Sequence, residues 1–491
     1  MSTTAPTKKI PKTTDPVVTY ISLAAIAIFV VAALAIPEKV SNFVNAGFSW
    51  SAGWFGLYWQ ILLLATFLVS LILMCLPWAK VYLGDTRIPE FSAFKWIAMI
   101  MCTLLAGGGV FWAAAEPVYH YLNAPPPLAG YITSEADRPV AALAQSFVHW
   151  GFLAWAILGT TGAVILSRAH EKGLPLRPRS LLYPLGENIV QSWIGKVADI
   201  VAIIAVVAGT VGPIGFLGLQ VAYGLHDYLG WTNNYPLQLG VIIVLVALAA
   251  ISVASGLDKG IQILSRLNVW IAIILMVIVL LLTSVVTTVE WFGKAVFLHV
   301  QTFFATTLYT GDPGWSSGWT IFFFGWFLGY GPLMAIFVAR ISTGRTIRQL
   351  FFTVAIVAPV LTMFWFTVLG GSAVGFEHTN PGSISEPLGV GGLPAAIMAM
   401  TSQLPFGAII GGAFLILTVT FVSTTADSMS YSIAQSCTTE GQPPRWLRAL
   451  WAIFMGGAAA VLLSIGDGGI SALQSWICLT AGAGGWVWLP A

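Results

Sequence analysis

Twelve stretches of mostly apolar residues run along the chain, separated by short turns rich in polar residues, glycine or proline. Their edges fall near 17–36, 55–77, 95–115, 142–167, 197–224, 237–256, 264–288, 319–340, 350–371, 406–432, 447–465 and 470–490. A helix of about 20 apolar residues crosses the hydrocarbon of a bilayer. The pattern therefore predicts twelve membrane spans, several long enough to tilt. Segment 290–318 alternates rings (Trp291, Phe292, Phe297, Phe303, Phe304) with Lys294 and His299, as expected for an amphipathic helix lying on the outer surface.

Composition agrees. Of 491 residues, 57% are hydrophobic and 8% charged, against roughly a quarter charged in soluble domains. The net charge of +2 and the lack of a long basic run argue against nucleic acid. Cys75, Cys102, Cys437 and Cys478 lie too far apart to read as a disulfide framework or a metal cluster. The N-terminal tail carries Lys8, Lys9 and Lys12, and the first apolar segment shows no cleavage site, so it reads as a span. With this tail in the cytoplasm, the outer loops hold only Lys39, Arg138 and Lys294 of the chain's 21 Lys and Arg. Cytoplasmic loops collect these residues, so both termini are expected inside.

Few ionisable groups enter the spans, and each is a functional candidate by default. They are Asp427, Asp199, Arg266 and His149, and Glu116 follows the third span, before Pro117. Near the inner ends of their spans, Asp199 and Arg266 read as snorkelling or paired charges, and a lone buried histidine such as His149 is more often hydrogen-bonded structure than ligand. No HExxH, GxSxG or P-loop occurs, and no His, Cys and carboxylate cluster stands at ligand spacing, so an enzyme is not expected. Spans three and eight carry helix breakers, Gly107-Gly108-Gly109 and Gly325, Gly329, Gly331-Pro332, five spans apart. Interrupted helices at matching places in two halves point to an inverted-repeat transporter with its site at the midplane. In the eighth span Trp326 and Tyr330 share a face and Phe327 flanks it. Such rings attract weakly hydrated cations, quaternary ammonium groups above all; the plainer reading is a packed stripe. Ser423, Thr424 and Thr425 offer hydroxyls to a hard cation, or bond back to carbonyls one turn earlier.

The run from Gly318 to Phe327, continuing through Ala339-Arg340-Ile341-Ser342-Thr343-Gly344-Arg345, resembles the signature of the betaine/carnitine/choline transporter family. Pro89-Glu90-Phe91-Ser92, Glu116-Pro117, His149-Trp150, Gly256-Leu257-Asp258-Lys259-Gly260 and Thr425-Ala426-Asp427-Ser428 match it in the same order.

This resemblance implies an all-α integral membrane protein with LeuT-like architecture. Residues 1–16 form a cytoplasmic tail and 17–94 two extra helices. The two five-helix inverted repeats take 95–288 and 319–491, with the periplasmic segment 289–318 between them. It implies a homotrimer in the bacterial inner membrane that imports a quaternary ammonium or sulfonium zwitterion by alternating access. The candidates are betaine, choline, carnitine and dimethylsulfoniopropionate. The cation would sit among Trp150, Trp155, Trp326, Phe327 and Tyr330, and the carboxylate at the unwound third span near Leu105 and Gly107. Sodium, the expected coupling ion, would meet Thr424, Thr425, Phe421, Leu105 and Asn268. Asn268 stands where sodium-independent exchangers have arginine, whereas Met334 matches their methionine, so an exchanger of the same compounds is the alternative. Phe324 and Phe327 replace tryptophans frequent in the family, which suits a smaller or different onium group. Short tails suggest constitutive nutrient uptake and not osmotic gating.

Overall fold

The computed structural model describes residues 14–255, 257–439, 441–465, 470–484 and 487. The lysines of the N-terminal tail, Gly256 and the end of the twelfth span lie outside them. Among the described residues the chain is helical, with two isolated bridges, Thr14 to Thr438 and Tyr82 to Thr346.

Twelve spans appear in the expected order. Spans one and two are Pro16–Ala35 and Pro37–Cys75. The third is broken into Ala93–Leu104 and Val110–Leu122, joined by the five-residue π turn Leu105–Gly109. The fourth comprises Arg138–Trp150, Phe152–Gly159 and Thr161–Glu171. Spans five to seven are Trp193–Leu229, Tyr235–Ser255 and Leu257–Leu282. The helix Val285–Thr307 follows and packs on the first helix of span four. The eighth span is Phe322–Ile341, entered through the π turn Ser317–Ile321; the ninth is Ile347–Phe352, Thr353–Val357 and Ala358–Thr379. Spans ten to twelve are Gly407–Ser436, Arg445–Leu463 and Ile470–Gly484. Ten of these are each apolar and long enough to cross a membrane. The third is split, and the described part of the twelfth is 15 residues.

The packing repeats with a shift of five spans. Span three packs on seven and nine; span eight packs on twelve and four. Ten takes six and seven; five takes eleven and twelve. Five meets ten, and six meets eleven. Two five-helix repeats with equivalent contacts must cross the membrane in opposite senses, because five is odd. This is the inverted-repeat architecture. Spans one, six and seven show most of their surface to lipid, with 28%, 22% and 22% of their apolar windows buried. The window in span eight is buried throughout, which makes it the axis of the core.

One expectation is corrected. Gly325, Gly329 and Gly331-Pro332 do not break the eighth span; the helix runs through Pro332. Its glycines serve close approach instead. A Cβ on Gly325 would stand 2.7 Å from the ring of Trp59, and one on Gly329 3.6 Å from the Ala205 carbonyl. Helix-breaking residues are tolerated in spans where neighbours re-satisfy the backbone.

Loops on the basic side are tied together. Leu83 N donates to Arg345 O at 2.9 Å and Gly344 N to Leu83 O at 2.8 Å. Gly344 has φ +82°, and a Cβ there would lie 2.5 Å from Ile88 O. The Arg345 guanidinium donates to Phe91 O at 2.7 Å and lies 4.8 Å over the Trp96 ring. The matched segments around Pro89 and Ala339 are thus two halves of one clasp. Nearby, Asp15 pairs with Arg177 and Arg179, and Arg179 with Asp199. Burial pushes the Asp15 carboxyl up, but the Val18 amide and the two guanidinium groups outweigh it and hold it below the usual range.

Asp427 has a structural role here. Its Oδ1 accepts from Arg448 of span eleven at 2.7 Å, and its Oδ2 from Ser252 of span six at 2.7 Å. Arg448→Met is expected to cost about 3–5 kcal/mol, because it strands a buried carboxylate, while pairing it with Asp427→Leu should restore most of the loss. Thermal unfolding of the two variants in detergent checks this.

Candidate substrate-binding site

The π turn in span three is the centre of the site. Gly108 takes φ 154° and ψ −11°, outside any helix. A Cβ on Gly108 would lie 2.9 Å from Trp326 Cη2, 3.3 Å from Trp112 Cδ1 and 3.4 Å from Trp150 Cη2. Only glycine lets the backbone turn this close to three indoles. The turn also offers its carbonyls: Trp365 Nε1 of span nine donates to Gly109 O at 3.0 Å.

The rings stand around this turn. Trp150 is edge-on to Trp326, with centroids 5.9 Å apart and planes at 89°, and to Phe327 at 5.7 Å. Trp326 and Phe327 lie near parallel at 5.6 Å. All three rings are buried. Tyr330 sits one turn below Trp326; both edge Gly209 of span five, where a Cβ would lie 3.2 Å from Tyr330 Cδ2 and 3.5 Å from Trp326 Cδ1. Edge-on and face-on rings in one cluster present both the positive edges and the negative faces of their quadrupoles. A cation entering the cluster would meet the faces.

Three indoles, those of Trp326, Trp150 and Trp155, are fixed by their N–H groups. Trp326 Nε1 donates to Gly209 O at 2.9 Å. That carbonyl needs an outside donor because its helical partner four residues on is Pro213, which has no N–H. Gly212-Pro213 therefore sets the orientation of a ring from another span. Trp150 Nε1 donates to Glu116 Oε2 at 2.8 Å. Trp155 Nε1 donates to Thr362 of span nine at 3.0 Å. Trp155 is buried, but among the described residues it makes no ring contact with Trp150, Trp326 or Phe327.

Sequence reasoning missed Trp112 and Phe323. Trp112 is edge-on to Phe323 at 5.1 Å and to Trp319 at 6.0 Å, and Phe323 to Trp150 at 5.4 Å. The signal was helical spacing: Trp112 lies one turn after Gly108, and Phe323 one turn before Phe327.

The hydroxyls of span ten divide. Ser423 and Thr424 bond back to Val419 O and Thr420 O, both at 2.9 Å, so the ordinary reading holds for them. Thr424 Oγ1 also accepts from Asn268 Nδ2 of span seven at 2.8 Å. Thr425 Oγ1 and Asn268 Oδ1 are buried and have no hydrogen-bond partner among the described residues. Thr424 and Thr425 share a small cavity with Tyr330, Ser265 and Ser428. Leu105 and Phe421 both line an apolar cavity of about 250 Å³ between spans three, seven, nine and ten, which shares Cys102 with the small one. The residues assigned to sodium are therefore neighbours, and Tyr330 joins them to the rings. They fit a hard cation in donor type, since oxygen atoms without partners are what such an ion coordinates. Gly107 lies in the π turn itself.

On the side of the basic loops a polar cleft of about 1120 Å³ runs between Asp15, Arg177, Arg340, Tyr431 and Gln435, and reaches Ile336. Ile336 is six residues along span eight from Tyr330, roughly 9 Å at 1.5 Å per residue.

A polytopic helical protein with a broken span against an aromatic cage is of the transporter class. The match to the betaine/carnitine/choline family transporters extends over residues 17–483. Glycine betaine transporter 2 of Vibrio parahaemolyticus is 47% identical over 480 residues, covering 97% of this chain and 88% of that protein. The ectoine/glycine betaine/proline transporter EctP of Corynebacterium glutamicum is 32% identical over 483 residues, covering 95% of this chain and 77% of that one. A solved Na+-coupled sialic acid symporter aligns at 13% identity with a TM-score of 0.45, covering 84% and 83% of the two chains. The chain belongs to the betaine/carnitine/choline transporter family.

Gly108→Ala is expected to destabilise the site by about 1–3 kcal/mol, the usual cost of a strained backbone position. A lowered Tm with unchanged helix content by circular dichroism is the outcome to look for.

Proposed function

We propose that this protein imports glycine betaine or a closely similar onium zwitterion by sodium symport. The observation that carries the reading is the contact of Gly108 with Trp150 and Trp326, which sets a bent backbone and a cation cage within one pocket's width of each other. A zwitterion needs both: rings for the onium group, and the amide N–H groups of an interrupted helix for the carboxylate. The name of the Vibrio relative favours glycine betaine among the family's substrates. Trp150, Trp326, Phe327 and Tyr330 carry the onium group in this reading, and Leu105 to Gly109 receives the carboxylate. Trp155 acts from outside the cage, holding span four against span nine through Thr362.

Thr425, with Thr424, Asn268 and the backbone of Phe421 and Leu105, would hold sodium. The ion would supply positive charge between spans three and ten and tie the π turn to span ten. The partnerless oxygens of Thr425 and Asn268 support this assignment. Met334, buried in span eight, sustains the second reading, sodium-independent exchange.

The test is uptake of radiolabelled glycine betaine, choline, carnitine and dimethylsulfoniopropionate into proteoliposomes, with and without an inward sodium gradient. Symport requires sodium-driven accumulation; uptake only into vesicles preloaded with substrate would replace it with exchange. Trp326→Leu is expected to weaken binding by about 1–2 kcal/mol, or roughly 5- to 30-fold in Kd, as for a desolvated cation–π contact. An unaltered Kd would remove Trp326 from the cage. Thr424→Ala combined with Thr425→Ala should raise the sodium concentration for half-maximal uptake steeply; an unchanged sodium curve would move the ion elsewhere.

A further inference from the structure

Sequence reading found no histidine and carboxylate cluster at ligand spacing, and the structure corrects this. Glu116 and His120 stand one helical turn apart in span three, and span four brings His149 onto them. All three are fully buried. His149 Nδ1 lies 2.6 Å from Glu116 Oε1, and His120 Nε2 lies 3.6 Å from the same oxygen. The three ligand atoms all fall within 4.8 Å of one another. The cluster was invisible because His149 comes from another span and His120 falls beyond the apolar stretch 95–115.

The His149–Glu116 pair alone is an ordinary buried hydrogen bond. His120 is not ordinary. Neither of its nitrogens has a hydrogen-bond partner among the described residues. Leaving a buried polar group unpaired is costly, because its water is lost and nothing replaces it. Gln145 Oε1, whose side chain reaches His149 Nε2, is also without a partner. Turning that amide over would let Gln145 accept from His149 Nε2–H and leave the Nδ1 lone pair aimed at Glu116. A second bond of this kind is what fixes a metal-ligating imidazole.

We propose that Glu116, His120 and His149 form a binding site for a transition-metal dication of the zinc type. Two imidazoles and one carboxylate suit Zn²⁺, Co²⁺ or Ni²⁺ and not Na⁺ or Mg²⁺. Ligand atoms around a tetrahedral ion at about 2.1 Å stand roughly 3.4 Å apart, so side-chain shifts under about 1–1.5 Å complete the set. The incoming ion displaces the proton between His149 Nδ1 and Glu116 Oε1, which leaves to solvent. The other oxygen of Glu116 holds the Trp150 indole at 2.8 Å. Metal binding therefore draws on the group that orients a cage wall, and it inhibits ligand binding there; this last clause rests on the cage reading above.

The experiment titrates purified protein with Co²⁺ and follows its visible absorption. One equivalent with an intense tetrahedral spectrum, displaced by Zn²⁺, is expected. His120→Gln should abolish it, and His378→Gln, at an exposed histidine, should not. Should His120→Gln fail to fold, His120→Cys gives the answer: it keeps a ligand and should add a sulfur-to-cobalt charge-transfer band. Zn²⁺ should also raise the Tm of the wild type but not of His120→Gln. A weak octahedral spectrum, or one unaffected by His120→Gln, overturns the site. In proteoliposomes, micromolar Zn²⁺ should lower uptake at least tenfold in the wild type and leave His120→Gln unchanged. Cobalt binding with undiminished uptake keeps the site and overturns its link to Trp150.

Discussion

Inside hydrocarbon there is no water to satisfy a broken helix, so any break must be surrounded by protein. The turn at Leu105–Gly109 meets this requirement with aromatic rings, and the rest of the structure follows from it. Trp326, Trp150 and Trp112 close over Gly108, while Trp365 donates to the carbonyl of Gly109. Those rings need positions of their own, and these come from spans three, four, eight and nine. Span eight, whose window is buried throughout, and span four, with 78% of its window buried, both bring rings to the break.

A second consequence concerns how the rings are aimed. Where the buried indole N–H groups of Trp326 and Trp150 donate, the acceptors are supplied by other spans. Trp326 uses a carbonyl that Pro213 leaves without its helical donor. Trp150 uses Glu116, which also meets His149. Trp326 is thus tied to span five and Trp150 to span three.

The inverted repeat puts equivalent contacts on both sides of the core, but its two halves are used differently. Span three breaks and span eight does not. The glycines of span eight let Trp59 and Ala205 approach the helix, whereas Gly108 is needed for its backbone angle. Similar glycine patterns therefore serve close packing in one repeat and unwinding in the other.

Much was legible in the chain itself. Apolar segments of spanning length set the number of helices, because lipid imposes one length on every span. Glycines at 107–109 marked the break, and the spacing of Trp326 and Tyr330 put both on one face. The family motifs located Trp150, Thr424 and Thr425. What depends on contacts between spans was not legible. Helical spacing could not show that Gly325 faces Trp59, that Trp155 bonds to Thr362 of span nine, or that Trp112 and Phe323 pack edge-on against each other. Nor could it show that Asp427 is neutralised by Arg448 or that His120 meets Glu116 and His149. Period and composition are local properties of a helix, and sequence carries them. Which faces meet across the membrane is decided only when twelve helices pack at once, and tertiary structure alone made that choice.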